Sequence, residues 1–280
     1  MKVFLSGDGD LALALADLIG RAGHELSASD ADLTVLVAPA DRLRAEVRRV
    51  RPGPGDRVLI ASRGLEPGTG RRLSSIVSEE SACLRVGALG GPILPAEVRR
   101  QSPCAGVVGS PFDEVNHLAV AALHSSLCRI YPTRALGDIE LAGALVDVLA
   151  VAIGVARTMG FGVGTEAMLV TRGVAEGMRL LRAARREGPG GNGESFAGLA
   201  GLGELVAVAG VPEHPARDRG AALVKGTPDP GLVAACDALL ARCDDLPITR
   251  AVSALAAGRL DPGAALRGLL QREVRDEGET

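Results

Sequence analysis

The chain has no tryptophan, a single tyrosine (Tyr131) and four phenylalanines in 280 residues. Few side chains are therefore available to stack on nucleobases. A formal net charge of −3 supplies no basic field of nucleic-acid size, so no nucleic-acid partner is expected. Lysine is almost absent too: Lys2 and Lys225 are the only two, and the remaining cations are arginines. The five cysteines (Cys83, Cys104, Cys128, Cys236, Cys243) are odd in number and form no CxxC. They read as reduced thiols of a cytoplasmic protein. None of the four histidines lies at ligand spacing from a cysteine, so no metal site is expected. No long uninterrupted apolar run is present. Leu141 to Val155 is strongly apolar but short and contains Asp147, which reads as a buried core helix and not a membrane span. The pattern begins in a strand at Lys2, which predicts no signal peptide.

What is present is a core of small apolar residues. Hydrophobic residues make up 47% of the chain, drawn mostly from Ala, Val and Leu. Lys2–Ser6 reads as a buried strand, followed by Gly7-Asp8-Gly9-Asp10-Leu11-Ala12 and a helix to about Ala22. Strand, glycine turn and helix are the context a G-x-G-x-x-A motif requires. In such a motif Gly7 permits the tight turn, Gly9 lets a pyrophosphate approach the backbone, and Ala12 allows close helix–strand packing. Further strands are predicted at Leu33–Val37, Arg57–Ala61, Cys83–Val86, Gly106–Val108 and Cys128–Tyr131. A helix is predicted over 42–50. Alternating strands and helices predict a parallel sheet. After Pro132 helical periods dominate: Asp138–Thr158, Thr165–Arg186, Pro230–Arg242 and Asp261–Asp276, with a glycine-rich loop at Gly188–Gly193. The expected organisation is α/β: a truncated Rossmann-like parallel sheet over residues 1–132, then an all-α substrate and dimerisation domain over 133–280.

The segment from Gly137 to Ala150, GDIELAGALVDVLA, resembles the signature helix of NAD(P)-dependent glycerol-3-phosphate dehydrogenases. There the pattern reads D-x-x-G/E-E-L-x-G-A-L-K-N-V-x-A. The likeness continues in order along the chain. Gly23-His24 matches the family's GH, and Val37-Ala38-Pro39 its AVP. Ala61-Ser62-Arg63-Gly64-Leu65 matches A-x-K-G-[IL]. Gly91-Pro92 through Val98 resembles GPSFAEEV, and Thr171-Arg172-Gly173 with Glu176 matches TRGLAE. Phe196 to Glu204 resembles F-x-GLAGLGD, Ala216-Arg217-Asp218 stands at SRN, and Pro247-Ile248 matches the late PI. The resemblance implies the two-domain fold with a helical half of the 6-phosphogluconate dehydrogenase C-terminal type. It also implies NAD or NADP as cofactor, a small phosphorylated polyol as substrate, and a homodimer built through the helical half. Carried over residue by residue, it places Gly7, Gly9, Ala12, Pro39 and Arg217 on the cofactor and Arg63, Glu204, Arg217 and Asp218 on the substrate.

The departures fall on chemistry. The family's general-acid lysine is Val146 and its neighbouring asparagine is Asp147. The Asp after GLG is Glu204, the threonine four residues on is Val208, and SRN carries Asp218 for asparagine. The catalytic residue is thus unassigned, with Arg63, Asp147 and Glu204 as candidates. Arg63 reads as a cleft cation or as a solvated turn residue. Glu204, Arg217 and Asp218 read as a recognition cluster or as a surface ion-pair network. Asp147 reads as a hydrogen-bonding replacement for asparagine or as a new acid or base. His214 stands close enough to Arg217 to reach the same cleft. On the cofactor side only twelve residues (25–36) separate Gly23-His24 from Val37, where the family carries a second strand, its ribose-anchoring end and a helix. Asp30 has roughly the ~20-residue spacing of a ribose carboxylate, without a clear strand to present it. Asp8 and Asp10 flank Gly9 and oppose an anion there. Weak or lost dinucleotide binding is therefore expected. Three functions compete: an NAD(P)-linked oxidoreductase with impaired catalysis, a diverged bacterial enzyme with another small substrate, and a non-catalytic binding or assembly pseudoenzyme.

Overall fold

The computed structural model describes residues 1–187, 194–211 and 214–270. The glycine-rich loop at 188–193 and the helix expected beyond residue 270 lie outside the described residues. The first half alternates strands and helices. In chain order it contains β1 (Lys2–Gly7), α1 (Gly9–Arg21), β2 (Glu25–Leu26), β3 (Leu33–Val37), α2 (Leu43–Val50), β4 (Arg57–Ile60) and α3 (Leu73–Glu80). β5 (Arg85–Gly90), α4 (Pro95–Arg99), β6 (Cys104–Gly109), α5 (Asp113–Leu123) and β7 (Cys128–Thr133) complete it. The strands form one sheet in the order β2-β1-β3-β4-β5-β6-β7. Every neighbouring pair is parallel except β5 and β6. All five residues of β3 are buried, as expected of a strand covered by helices on both faces.

β2 is a stub. It pairs only with Lys2 and Val3 at the start of β1, and the chain then turns straight into β3 on the other side. The sheet therefore changes direction between β1 and β3, a topological switch point whose crevice lies outside the carboxyl ends of the strands. β5 runs later than the sequence suggests, over 85–90 and not 83–86. Gly87 and Gly90 have poor strand propensity but are needed for space. A Cβ on Gly87 would stand 2.9 Å from a Val115 methyl, and one on Gly90 would stand 2.9 Å from Ile139.

The second half is helical: α6 (Leu136–Thr158), α7 (Val163–Ala183), α8 (Glu204–Gly210), α9 (Pro215–Val224), α10 (Pro230–Leu240), α11 (Pro247–Ala256) and α12 (Pro262–Leu270). α6 is its axis. By length and composition α6 could cross a membrane, but 94% of its most apolar stretch is buried inside the protein. Small residues let its neighbours approach. A Cβ on Gly220 of α9 would stand 2.5 Å from the Val151 carbonyl oxygen, and one on Gly154 of α6 would stand 2.5 Å from the Arg217 carbonyl oxygen. The two backbones touch at this crossing. Proline begins α9, α10 and α11, a position where the missing N–H costs nothing.

Candidate active site

At the switch point, Gly7 has φ +134°, and a Cβ there would stand 1.9 Å from the Val37 carbonyl oxygen. No other residue fits this turn. Gly9, at φ +83°, has open space where a Cβ would lie, so the backbone at the start of α1 is bare to an approaching group. No side chain caps α1, which leaves its first-turn amides and the positive end of the helix dipole available to an anion. The two flanking carboxylates are not equivalent. Asp10 is paired with Arg99 at 2.9 Å, which reduces its opposition to a phosphate. Ala12 is buried, as close helix–sheet packing requires. Gly7 lies in register with Val37, so Val37-Ala38-Pro39 runs beside the turn. The Pro39 carbonyl accepts from the Arg42 and Leu43 amides and starts α2. These residues fit the pyrophosphate part of a dinucleotide.

The adenosine side fits less well. β2 ends opposite Val3, far short of the Gly7 end of β1. Asp30, at φ +52°, lies between Ser27 and Asp32, whose amides bond the Val3 and Lys2 carbonyls. That is the wrong end of β1 for a ribose contact, so the Asp30 spacing is coincidental.

Arg63 follows β4 at the same carboxyl edge. The Ala38 amide donates to Ser62 Oγ at 3.1 Å, tying the Arg63 turn to the end of β3. The Arg63 stem lies against Gly143 of α6, where a Cβ would be 3.4 Å from Arg63 Cγ. Its guanidinium then donates to Glu204 Oε1. Arg63 thus bridges the sheet half and the helical half. Glu204 is 5% exposed, and its Oε2 is buried without a hydrogen-bond partner among the described residues. Val146, one turn beyond Gly143, is fully buried in the helical-half core. Asp147 beside it is half-buried.

His214 precedes α9, and its Nδ1 accepts from the Ala216 amide at 3.3 Å. In the neutral ring Nε2 then carries the proton. Burial, followed by the positive field of Arg63, holds this imidazole below the usual histidine range, against the pull of Asp147. Arg217 and Asp218 also act on it, so His214, Arg63, Asp147, Arg217 and Asp218 share one neighbourhood. Arg217 is buried and Asp218 exposed. Burial draws the Arg217 guanidinium down, with Arg157 adding to the effect. Arg157 donates to Glu166 at 2.7 Å. Sequence reading missed this Arg157–Glu166 pair, and no spacing signal marks it.

Other motif residues build the frame. Phe196 is fully buried, and its ring and backbone occupy the space where Cβ atoms of Gly177 and Gly201 would stand. That packing fixes the π-helical turn Leu199–Gly203, which delivers Glu204 at the first position of α8. Glu176 accepts from the Ile248 and Thr249 amides and the Thr249 hydroxyl, so the TRG-x-x-E and PI segments are two parts of one helix cap. Glu140 accepts from the Ser74 amide and hydroxyl, each at 2.7 Å, and fastens α6 to the start of α3. Burial pushes both carboxyls up, opposed by these hydrogen bonds.

Residues 17–116 match the family model for the NAD-dependent glycerol-3-phosphate dehydrogenase N-terminus, and residues 137–267 match that for the C-terminus. The glycerol-3-phosphate dehydrogenase [NAD(P)+] of Leptothrix cholodnii is 36% identical over 99% of this chain and 83% of its own length. The chain belongs to the NAD-dependent glycerol-3-phosphate dehydrogenase family. The enzyme of that name from Parafrankia sp. is also 36% identical, over 94% of this chain and 83% of its own length. The solved glycerol-3-phosphate dehydrogenase of Coxiella burnetii superposes with TM-score 0.84 at 23% identity, over 97% of this chain and 99% of its own. A ketopantoate reductase from Ralstonia eutropha superposes with TM-score 0.56 at 14% identity, covering 95% and 100%. These two likenesses establish the shared fold: a Rossmann-type sheet half followed by a helical half.

Proposed function

We propose that this chain is an NAD(P)-linked oxidoreductase on the glycerol-3-phosphate dehydrogenase plan whose reduction of dihydroxyacetone phosphate is impaired. The reading rests on the residue at one position of α6, buried in the helical-half core one turn beyond the Gly143 that the Arg63 stem lies against. Where the family resemblance places a general-acid lysine, α6 has Val146, an aliphatic side chain that holds no proton. The nearby cation, Arg63, is bound to Glu204 and keeps its proton at any physiological pH. It can orient a carbonyl or an anion but is a poor proton donor. A positioned proton donor typically contributes about 10²–10⁴-fold in rate, and that is the loss expected here.

When bound, the nicotinamide would supply or accept hydride. Gly7, Gly9 and the α1 amides would hold its pyrophosphate, Pro39 would border it, and Arg217 would stand on the cleft side. The short β2 leaves the adenosine ribose without its usual strand-end contact. Calorimetric titration with NADH and NADPH tests this. Dissociation constants weaker than the low micromolar range are expected for both. Low micromolar binding of either would show that other residues replace the missing strand.

A second reading, another small substrate, is favoured by Glu204. Its Oε2 is a buried acceptor with no partner among the described residues, an arrangement that costs stability and is found at sites awaiting a ligand. A substrate hydroxyl would satisfy it. Arg63, Glu204 and Arg217 would then select a polyol, with Asp218 and Asp147 disfavouring a phosphate nearby. Failure to bind either nicotinamide would leave the non-catalytic binding role instead. Self-association through residues 133–280 belongs to the proposal. Leu141–Val155, apart from Asp147, is buried within the single chain, so a dimer contact must use other faces.

A further inference from the structure

Cys104 on β6 and Cys128 on β7 stand opposite each other in register on parallel strands. Registered neighbours project to the same face of a sheet. Here that face packs against α1 and α5: Cys128 belongs to the buried cluster that contains Leu15, Leu18, Ala122 and Leu123, and Cys104 is partly buried against it. Adjacent strands lie about 4.8 Å apart, inside the roughly 4.4–6.8 Å Cα separation that a disulfide spans. Both residues are free thiols.

The pair is asymmetric. Cys128 is fully buried. Cys104 is partly exposed and borders a shallow surface hollow with Leu18, Arg21, Val98, Gln101 and Ser102. The neighbouring Cys128 thiol draws the Cys104 thiol down, while Cys104 and burial push Cys128 up. All five cysteines are among the described residues, and the other three are pushed up by burial, Cys236 to about 12. Reactivity toward oxidants follows thiolate character and access, and Cys104 combines both.

We propose that Cys104 and Cys128 are a peroxide-sensitive pair that closes to a reversible disulfide. The Cys104 thiolate attacks one peroxide oxygen, the O–O bond breaks, and hydroxide leaves, giving a sulfenic acid on Cys104. The Cys128 sulfur then displaces the sulfenic hydroxyl, which departs as water with the Cys128 proton, and the S–S bond forms. Two thiols lose two electrons, and one peroxide becomes two waters. The bridge would tie β6 to β7 across the α5 crossover. Neither step depends on the enzymatic reading above.

The test uses the full chain treated with a small molar excess of hydrogen peroxide, followed by alkylation and mass spectrometry. The expected result is a mass lower by two hydrogens, one cross-link joining the Cys104 and Cys128 peptides, and full reversal by dithiothreitol. Cys104→Ser is expected to abolish the link. Cys128→Ser is expected to leave a sulfenic acid on Cys104 that dimedone captures, and Cys128→Ala serves if the serine variant does not fold. The proposal is overturned by a link between other cysteines or by a link that survives Cys104→Ser. It is equally overturned if wild-type Cys104 passes to sulfinic acid uncrosslinked, or stays unreacted while thiols of the urea-unfolded chain oxidise.

Discussion

Arg63 and Glu204 are 141 positions apart in sequence, and each was legible only as a member of its own motif. A-x-[KR]-G and GLG-[DE] marked two polar residues near a cleft. Nothing in their spacing shows that the Arg63 stem lies along Gly143 and its guanidinium ends on the carboxylate. The bond joins a sheet loop to the first residue of a helix in the other half, so it ties the two halves together. Glu204 is buried and Arg63 is 39% exposed at its side chain, so solvent screens the pair only in part. Arg63→Ala leaves a buried carboxylate unpaired and is expected to cost about 1–3 kcal/mol. Glu204→Gln should cost less, because an amide remains comfortable without a cation. The double variant is expected to lose about 1 kcal/mol less than the sum of the singles, as read by urea denaturation. Strict additivity would mean that the two side chains do not meet in solution.

At the scale of elements, the strands that carry β-branched runs were readable: β1, β3, β4 and β7 stand where alternation and composition place them. β5 was displaced because its C-terminal half is Gly-Ala-Leu-Gly, which reads as a turn until the crowding around Gly87 and Gly90 is known. The pairing of β5 with β6 is antiparallel, and no local pattern encodes strand direction. Helices α3, α4, α5, α8, α9 and α11 match no predicted helix, because short helical stretches carry weak periodic signals. The α6–α9 crossing explains two glycines that no motif marks. Gly220→Ala drives a methyl into the Val151 carbonyl oxygen and the Val155 nitrogen, backbone atoms that cannot yield. A loss of about 1–3 kcal/mol is expected, whereas Gly210→Ala, with nothing within 4 Å of its Cβ, should be neutral or slightly stabilising. Equal thermal midpoints for both variants would contradict this crossing. His214, at the start of α9, adds a pH term. Its folded-state pKa is depressed by burial and Arg63, so as pH falls the unfolded chain takes up this proton first. The neutral ring contributes stability above about pH 6.5, and that contribution is lost as pH falls through the folded value. His214→Asn keeps a capping side chain and removes the titration. The wild type should therefore lose stability relative to the variant between about pH 7 and pH 5, and parallel curves would exclude His214 as the source.

For the whole molecule, family membership and a sheet half followed by a helical half were legible in the motifs. Each motif is short, but their order along 280 residues is specific. The balance of the site was less legible. Asp10 looked like a repulsive charge in the phosphate turn, and its pairing with Arg99 came from an element 89 residues away. Asp30 looked usable by spacing alone, and the stub β2 places it at the wrong edge of the sheet. Such errors share one cause, since spacing along the chain does not report which end of a strand a loop returns to. The molecule that results has a bare glycine turn at the start of α1, a two-residue β2, and an arginine after β4 held by Glu204. The central question is whether this site can still deliver a proton to a phosphorylated ketone. The most direct measurement is the rate of NADH and NADPH oxidation by purified full-length protein with saturating dihydroxyacetone phosphate, alongside a family member that carries the lysine. The expected rate is lower than that enzyme's by about 10²–10⁴-fold. A comparable rate, lost when the protein is omitted, would contradict it and show that another group does the work of the residue replaced by Val146.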